Sequence, residues 1–250
     1  MSKAAARRSR SINVYRQVVW QVLVCVLLWL GSNQASAEPL KILFVGDSIT
    51  AGGNRARDES SYRLPLQTLV ATTGVAVDYV GTRDEGLHAD AKWPAGFDPH
   101  HEAYYGATTA FVRDQLREHI DRFAPPDIAL IHLGTNDRGS SSDFIEPLEQ
   151  IIDLLRSRNP RVVVLVGHLN VHDWAAPWRR LRVNRMVSRM SSSTSPVVAV
   201  NHFEDWVEDP RRVGTDTWDW IHPNPRGQSQ MALTWFAALR PYLREVHGPI

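Results

Sequence analysis

Five short apolar runs, Lys41–Gly46, Val75–Gly81, Asp127–Leu133, Arg161–Gly167 and Pro196–Asn201, punctuate the sequence, each rich in Val, Ile or Leu without strict polar alternation. A strand that reads this way is covered on both faces, as in a parallel sheet with helices packed on either side. Helical stretches lie between the runs. In Asp143–Arg158, Phe144, Ile145, Leu148, Ile151, Ile152 and Leu155 recur at helical spacing until Asn159-Pro160. Thr109–Phe123 carries a thinner stripe, stopped by Pro125-Pro126, and a last helix is expected from about Arg226 to Leu243. This alternation predicts an α/β fold, a three-layer doubly wound sandwich whose five parallel strands follow flavodoxin-like order. Residues 82–107, rich in Gly, Pro, His and Trp, read as one long loop, and loops of that length in compact domains are usually functional.

The first 37 residues carry Lys3, Arg7, Arg8, Arg10 and Arg16 but no acid, then the apolar run Val18–Leu30, then Ala35-Ser36-Ala37. That order predicts a secretory signal peptide cleaved after Ala37. Its apolar run of 13 residues is shorter than the roughly 20 needed to cross a bilayer. Arg7-Arg8 is a weak twin-arginine signal, because Ser9-Arg10-Ser11 follows where an apolar residue is expected. The expected destination is therefore the periplasm or the exterior, with residues 38–250 forming a single domain and no stable membrane anchor after cleavage.

The one cysteine, Cys25, leaves with that signal. Residues 38–250 then have no disulfide, no thiolate nucleophile and no cysteine-ligated zinc. Removal of five positive charges from the net +1 leaves about −4, which gives no reason to expect nucleic acid or anionic lipid as a partner. Trp93, Trp174, Trp178, Trp206, Trp218, Trp220 and Trp235 fall in segments that look like loops or loop edges, where an indole either packs or offers a stacking platform to a flat ligand such as a sugar.

In doubly wound sheets, ligands bind beyond the carboxyl ends of the strands. Ser48 follows the first run there, and either it is a nucleophile or Asp47 and Ser48 merely cap the next helix. Gly134-Thr135-Asn136-Asp137 follows the third run, where Asn136 either donates to a developing oxyanion or belongs to a turn. Asp219 and His222 are three residues apart, which on a helical turn lets the carboxylate hold one imidazole nitrogen while the other faces a hydroxyl. The alternative is a surface pair ahead of Pro223. Asp216 is a rival orienter, six residues from His222. His100, His101 and Glu102, and His168 with His172, show no convergent third ligand, so no metal is expected.

Taken together, "GDSIT" with Ser48, "GTND" with Asn136, and "DWIHPN" with Asp219 and His222 resemble the SGNH (GDSL-type) hydrolase superfamily, with Gly106 of "HEAYYGAT" supplying the remaining block. The resemblance implies that Ser48 attacks an ester carbonyl, His222 serves as general base then acid, and Asp219 orients His222. It further implies an oxyanion hole from the amides of Ser48 and Gly106 and the Asn136 side chain, with no cofactor. "VDYVGTRDEG", "HEAYYGATT" and "PPDIALIHLGTND" are similar to the secreted carbohydrate esterases of family 3, which deacetylate xylan. That family commonly has His-Glu-Gly and then Ser-Gly-Trp in the second block, whereas here Ala103 follows Glu102 and Gly106 lies between Tyr105 and Ala107. The expected substrate is an acylated carbohydrate or other small ester. The rivals are a lysophospholipase or thioesterase of the same fold, acyl transfer between sugars, and a non-catalytic carbohydrate-binding protein.

Overall fold

The computed structural model describes residues 38–52, 60–86, 93–138, 144–170 and 175–245. The expected signal peptide lies outside them, as do Trp174 and His172.

Parallel strands β1 (Leu40–Gly46), β2 (Val77–Val80), β4 (Ile128–His132), β5 (Val163–Gly167) and β6 (Val197–Val200) line up in the order β2-β1-β4-β5-β6. This is the expected five-strand flavodoxin-like path. A sixth strand, β3 (Glu102–Ala103), lies inside the segment read as one long loop. Its two residues pair with the end of β1, Val45 beside Glu102 and Gly46 beside Ala103, past the point where β2 stops at Leu43–Val80. Two residues carry no periodicity, so only the pairing makes them a strand.

Alternate residues of each strand feed two cores. Leu43, Val45, Ala129, Ile131, Val164 and Val166 pack against α3 (Thr109–His119), α4 (Ile145–Arg158) and α5 (Ala176–Met190). Ile42, Phe44, Ile128, Leu130 and Leu165 face α2 (Arg63–Ala71) and α6 (Pro225–Leu239) on the other side. The three layers follow from this two-residue period on a sheet buried on both faces. Helix α3 ends at His119, short of the expected Phe123, and the last helix is split. Asn224 caps α6 through the amides of Arg226 and Gly227. After Arg240, Pro241 cannot continue the ladder, and the chain restarts as α7 (Tyr242–Glu245).

Imidazoles fill the carboxyl rim of β4, β5 and β6. His132 and His202 are fully or nearly fully buried, 5.7 Å apart edge to face, and His202 meets the Trp235 ring at 4.5 Å. Gly167 sits between them, where a Cβ would come within 3.1 Å of all three rings. His132 Nε2–H donates to Asn170 Oδ1 at 2.9 Å. Burial pushes the His132 imidazole down to about 4, and pushes His202 and His101 well below the usual histidine range. Below pH 6.5 the unfolded chain therefore binds protons that the folded chain refuses, and stability is lost as pH falls from about 6.5 towards 4. His132 alone withdraws about 3 kcal/mol by the end of that window. Asp47 works in the opposite direction, because burial raises its carboxyl to about 6 and the folded state holds that proton more tightly. One carboxyl against three imidazoles leaves a net loss. The urea midpoint is expected to fall between pH 7 and pH 4.5, and to fall less in His132→Gln; a midpoint that holds or rises would contradict this.

Candidate active site

Strand β1 delivers Gly46, Asp47 and Ser48 into a one-turn helix, α1 (Ser48–Ala51). Gly46 has to lack a side chain here, since a Cβ would sit 2.1 Å from Thr50 Oγ1 as the chain doubles back. Asp47 is fully buried and caps α1, its Oδ1 accepting from the Ile49 amide at 3.0 Å. Capping thus falls on Asp47, and Ser48 is left at the first helical turn with 7% of its surface exposed.

The carbonyl end of α1 is held by a residue that no sequence motif marks. Arg63, fully buried at the start of α2, donates Nε to Thr50 O and Nη2 to Ala51 O, each at 2.9 Å, and Nη1 to Pro99 O. Ser61 Oγ also donates to Thr50 O, and the Tyr105 hydroxyl donates to Gly52 O. A four-residue helix cannot satisfy its own last carbonyls, so this cation and these hydroxyls do it. Burial lowers the guanidinium to about 10. The sequence signal for this role is faint: one arginine at the start of a helix whose stripe is Leu64, Leu66, Leu69 and Val70.

His222 comes from the opposite end of the chain. Its Nε2 lies 3.0 Å from Ser48 Oγ, and its Nδ1 lies 3.1 and 3.0 Å from the two oxygens of Asp219. The carboxylate fixes the tautomer, because Nδ1–H donates to Asp219 and Nε2 is left with a lone pair for the serine proton. The expected helical turn is absent, however. Residues 218–222 form a loop closed by the Thr217–Pro223 bridge and by Trp218 N donating to His222 O at 2.8 Å. Asp219 Oδ1 accepts from the amides of Ile221 and His222, an Asx turn that brings side chains three residues apart together as a helix would. Partial burial raises the Asp219 carboxyl, but the bonds from His222 and Ile221 outweigh it and hold the group below its ordinary range. Asp216 is engaged elsewhere: its Oδ2 accepts from Val207 N at 2.7 Å and its Oδ1 stands 3.5 Å from Arg226.

Gly106 follows β3, which the sheet register places beside the end of β1. Its φ of +65° suits the absence of a Cβ. Asn136 follows β4, whose His132 pairs with Gly46, and its Nδ2 donates to Ala107 O at 3.0 Å. That bond ties the third block to the second while using one of the two amide hydrogens. Asp137 does a separate task, accepting from Thr109 N and Oγ1 at the start of α3. Gly134–Asp137 is a turn, and it also brings the Asn136 side chain to Ala107. All the predicted site residues therefore lie beyond the carboxyl ends of β1, β3 and β4, or reach that rim from the 218–222 loop.

Among the described residues, the histidines weighed as metal ligands have other partners, His100 meeting Asp98 Oδ1 through Nδ1 at 2.7 Å. His101 pairs through Nε2 with Glu85 O and accepts Ala103 N at Nδ1, Glu102 accepts from Thr82 and Tyr104, and His168 Nε2 meets Asn184 Oδ1. Of the tryptophans, Trp206 and Trp235 are core residues, whereas Trp178, Trp218 and Trp220 are exposed.

Solved structures similar to this chain share its fold at low identity. A carbohydrate esterase family 3 protein from Talaromyces cellulolyticus superimposes with a TM-score of 0.65 at 24% identity, covering 82% of this chain and 99% of its own. A Clostridium thermocellum family 3 carbohydrate esterase gives 0.66 at 24% identity, covering 84% and 100%. An acetyl esterase mutant with acetate ion gives 0.66 at 23% identity, covering 83% and 99%. Among curated proteins no match is found. The GDSL-like Lipase/Acylhydrolase family profile matches residues 44–230, from the strand that presents Ser48 to the helix that follows His222. With the blocks, the sheet order and that match in agreement, the chain belongs to the GDSL-like Lipase/Acylhydrolase family and is a carboxylic ester hydrolase.

Proposed function

We propose that this protein is an exported serine esterase that removes short acyl groups, O-acetyl foremost, from a polysaccharide such as acetylated xylan through an acyl-Ser48 intermediate. The observation that carries the reading is the Ser48–His222–Asp219 relay, with contacts of 3.0 Å on both sides of the imidazole. As Ser48 Oγ attacks the ester carbonyl carbon, its proton passes to His222 Nε2. The carbonyl electron pair moves onto oxygen, where the amides of Ser48 and Gly106 and the second Asn136 Nδ2 hydrogen are the available donors. Collapse expels the sugar alkoxide, which takes the proton from His222. Water then repeats the sequence on the acyl-serine, giving a carboxylate and free Ser48. The positive charge on the partly exposed, Asp219-bound imidazolium is transient, and a carboxylate held ionised stabilises it while orienting the ring.

The acetyl preference and the sugar are supported by the likeness to carbohydrate esterase family 3 structures and to an acetyl esterase, and by the exposed indoles beside the relay. The test is a series of p-nitrophenyl esters from acetate to a long-chain acyl group, with acetate release from acetylated xylan measured in parallel. Turnover highest on acetate together with release from xylan is the expected result. Rising turnover with chain length would replace the sugar reading by a lipid one.

A further inference from the structure

The loop that carries Asp219 and His222 contains a residue that its backbone does not favour. Trp220 has φ +75°, a region where glycine is at ease and a bulky aromatic is an outlier. The strain is imposed from outside: the Thr217–Pro223 bridge, the Trp218 N–His222 O bond and the Asx turn at Asp219 fix the path on both sides, and Trp220 N donates to Thr217 Oγ1 at 3.1 Å. Burial gives no compensation, because Trp220 is 44% exposed, as are its neighbours Trp218 at 42% and Ile221 at 41%. Strained residues that persist next to a reactive centre point to function.

The indole is also braced. The Arg211 guanidinium lies 5.0 Å from the centre of the Trp220 ring and is itself held by both oxygens of Asp209 at 2.9 Å. A cation over one aromatic face modestly restrains an open side chain, and Trp220 keeps 44% of its surface exposed. We infer that Trp220, braced by Arg211, is a stacking subsite for a pyranosyl ring of an O-acylated glycan, on the alcohol side of the scissile ester. An open, rigid indole suits a sugar, whose C–H face lies on the ring while its hydroxyls stay in water; a long acyl chain needs an enclosed apolar groove instead. Trp218 and Ile221 extend the apolar surface around the same loop. The inference rests on the esterase reading above and adds the position that selects the sugar.

Trp220→Gly is the suitable probe, since glycine relieves the strained φ while removing the ring. The quantity to measure is kcat/KM on an acetylated xylo-oligosaccharide divided by kcat/KM on p-nitrophenyl acetate, for wild type, Trp220→Gly and Trp220→Phe. Trp220→Gly is expected to lower that ratio about 10-fold or more, through KM, and Trp220→Phe to retain most of it. Calorimetry in the Ser48→Ala background, with the same oligosaccharide, should show the matching loss of affinity. An unchanged ratio, or equal losses on both substrates, would overturn the subsite. So would a loss confined to long-chain esters. If wild type cleaves p-nitrophenyl acetate but not the oligosaccharide, the glycan reading itself fails, and the subsite fails with it.

Discussion

Ser48→Ala is expected to reduce p-nitrophenyl acetate turnover by about 10⁴–10⁶-fold, the range found when a nucleophilic serine is removed from a relay that acts as a unit. The fold should survive. Among the described residues Ser48 Oγ makes one hydrogen bond, to His222 Nε2, and it occupies the first turn of α1, where alanine is a better helix former than serine. Asp47, Arg63 and Ser61 still fix both ends of α1. His222→Ala should fall into the same range, and the double variant should lose little more than either single one, because neither group works alone. Stopped assays on the purified variants, with urea midpoints as the check on folding, decide it.

The second large effect is expected for Asp219→Asn, about 10²–10⁴-fold in kcat with KM nearly unchanged. Asparagine keeps an oxygen for the amides of Ile221 and His222, so the Asx turn can persist. Its NH₂ group, however, would face His222 Nδ1, which must then accept. The proton is forced onto Nε2, and the nitrogen 3.0 Å from Ser48 Oγ can no longer take one. Steady-state kinetics of Asp219→Asn beside wild type measures this. A loss in KM alone, or near-wild-type kcat, would remove Asp219 from the relay.

The sheet was legible because a strand buried on both faces leaves a continuous apolar run, and the five runs match the five long strands in position and order. β3 was not, since pairing to β1 rather than composition makes Glu102–Ala103 a strand. Helices α2 and α5 were blurred for another reason. Beyond its first residue α5 buries Val183, Met186 and Val187, with Met190 partly buried against the same core, among five arginines, so the stripe is too thin to delimit a helix. The Asp219–His222 spacing brought the two side chains into contact through a different local structure from the one expected, because an Asx turn and a helical turn both bring residues three apart together. Arg63 escaped notice because its partners are carbonyls of α1 and Pro99, which carry no mark in a sequence. The strain at Trp220 was equally hidden, as φ is a property of the closed loop and not of the residue.

The account stands or falls on Ser48 as the nucleophile, and the most direct measurement is covalent capture. Purified residues 38–250, exposed to a p-nitrophenyl alkylphosphonate, should release one p-nitrophenol per chain as esterase activity disappears. Peptide mass spectrometry should then place one phosphonyl group on Ser48, and His222→Ala should remain essentially unlabelled over the same time. An enzyme that stays active without label on Ser48, or that is inactivated by label on a different residue, would contradict the account.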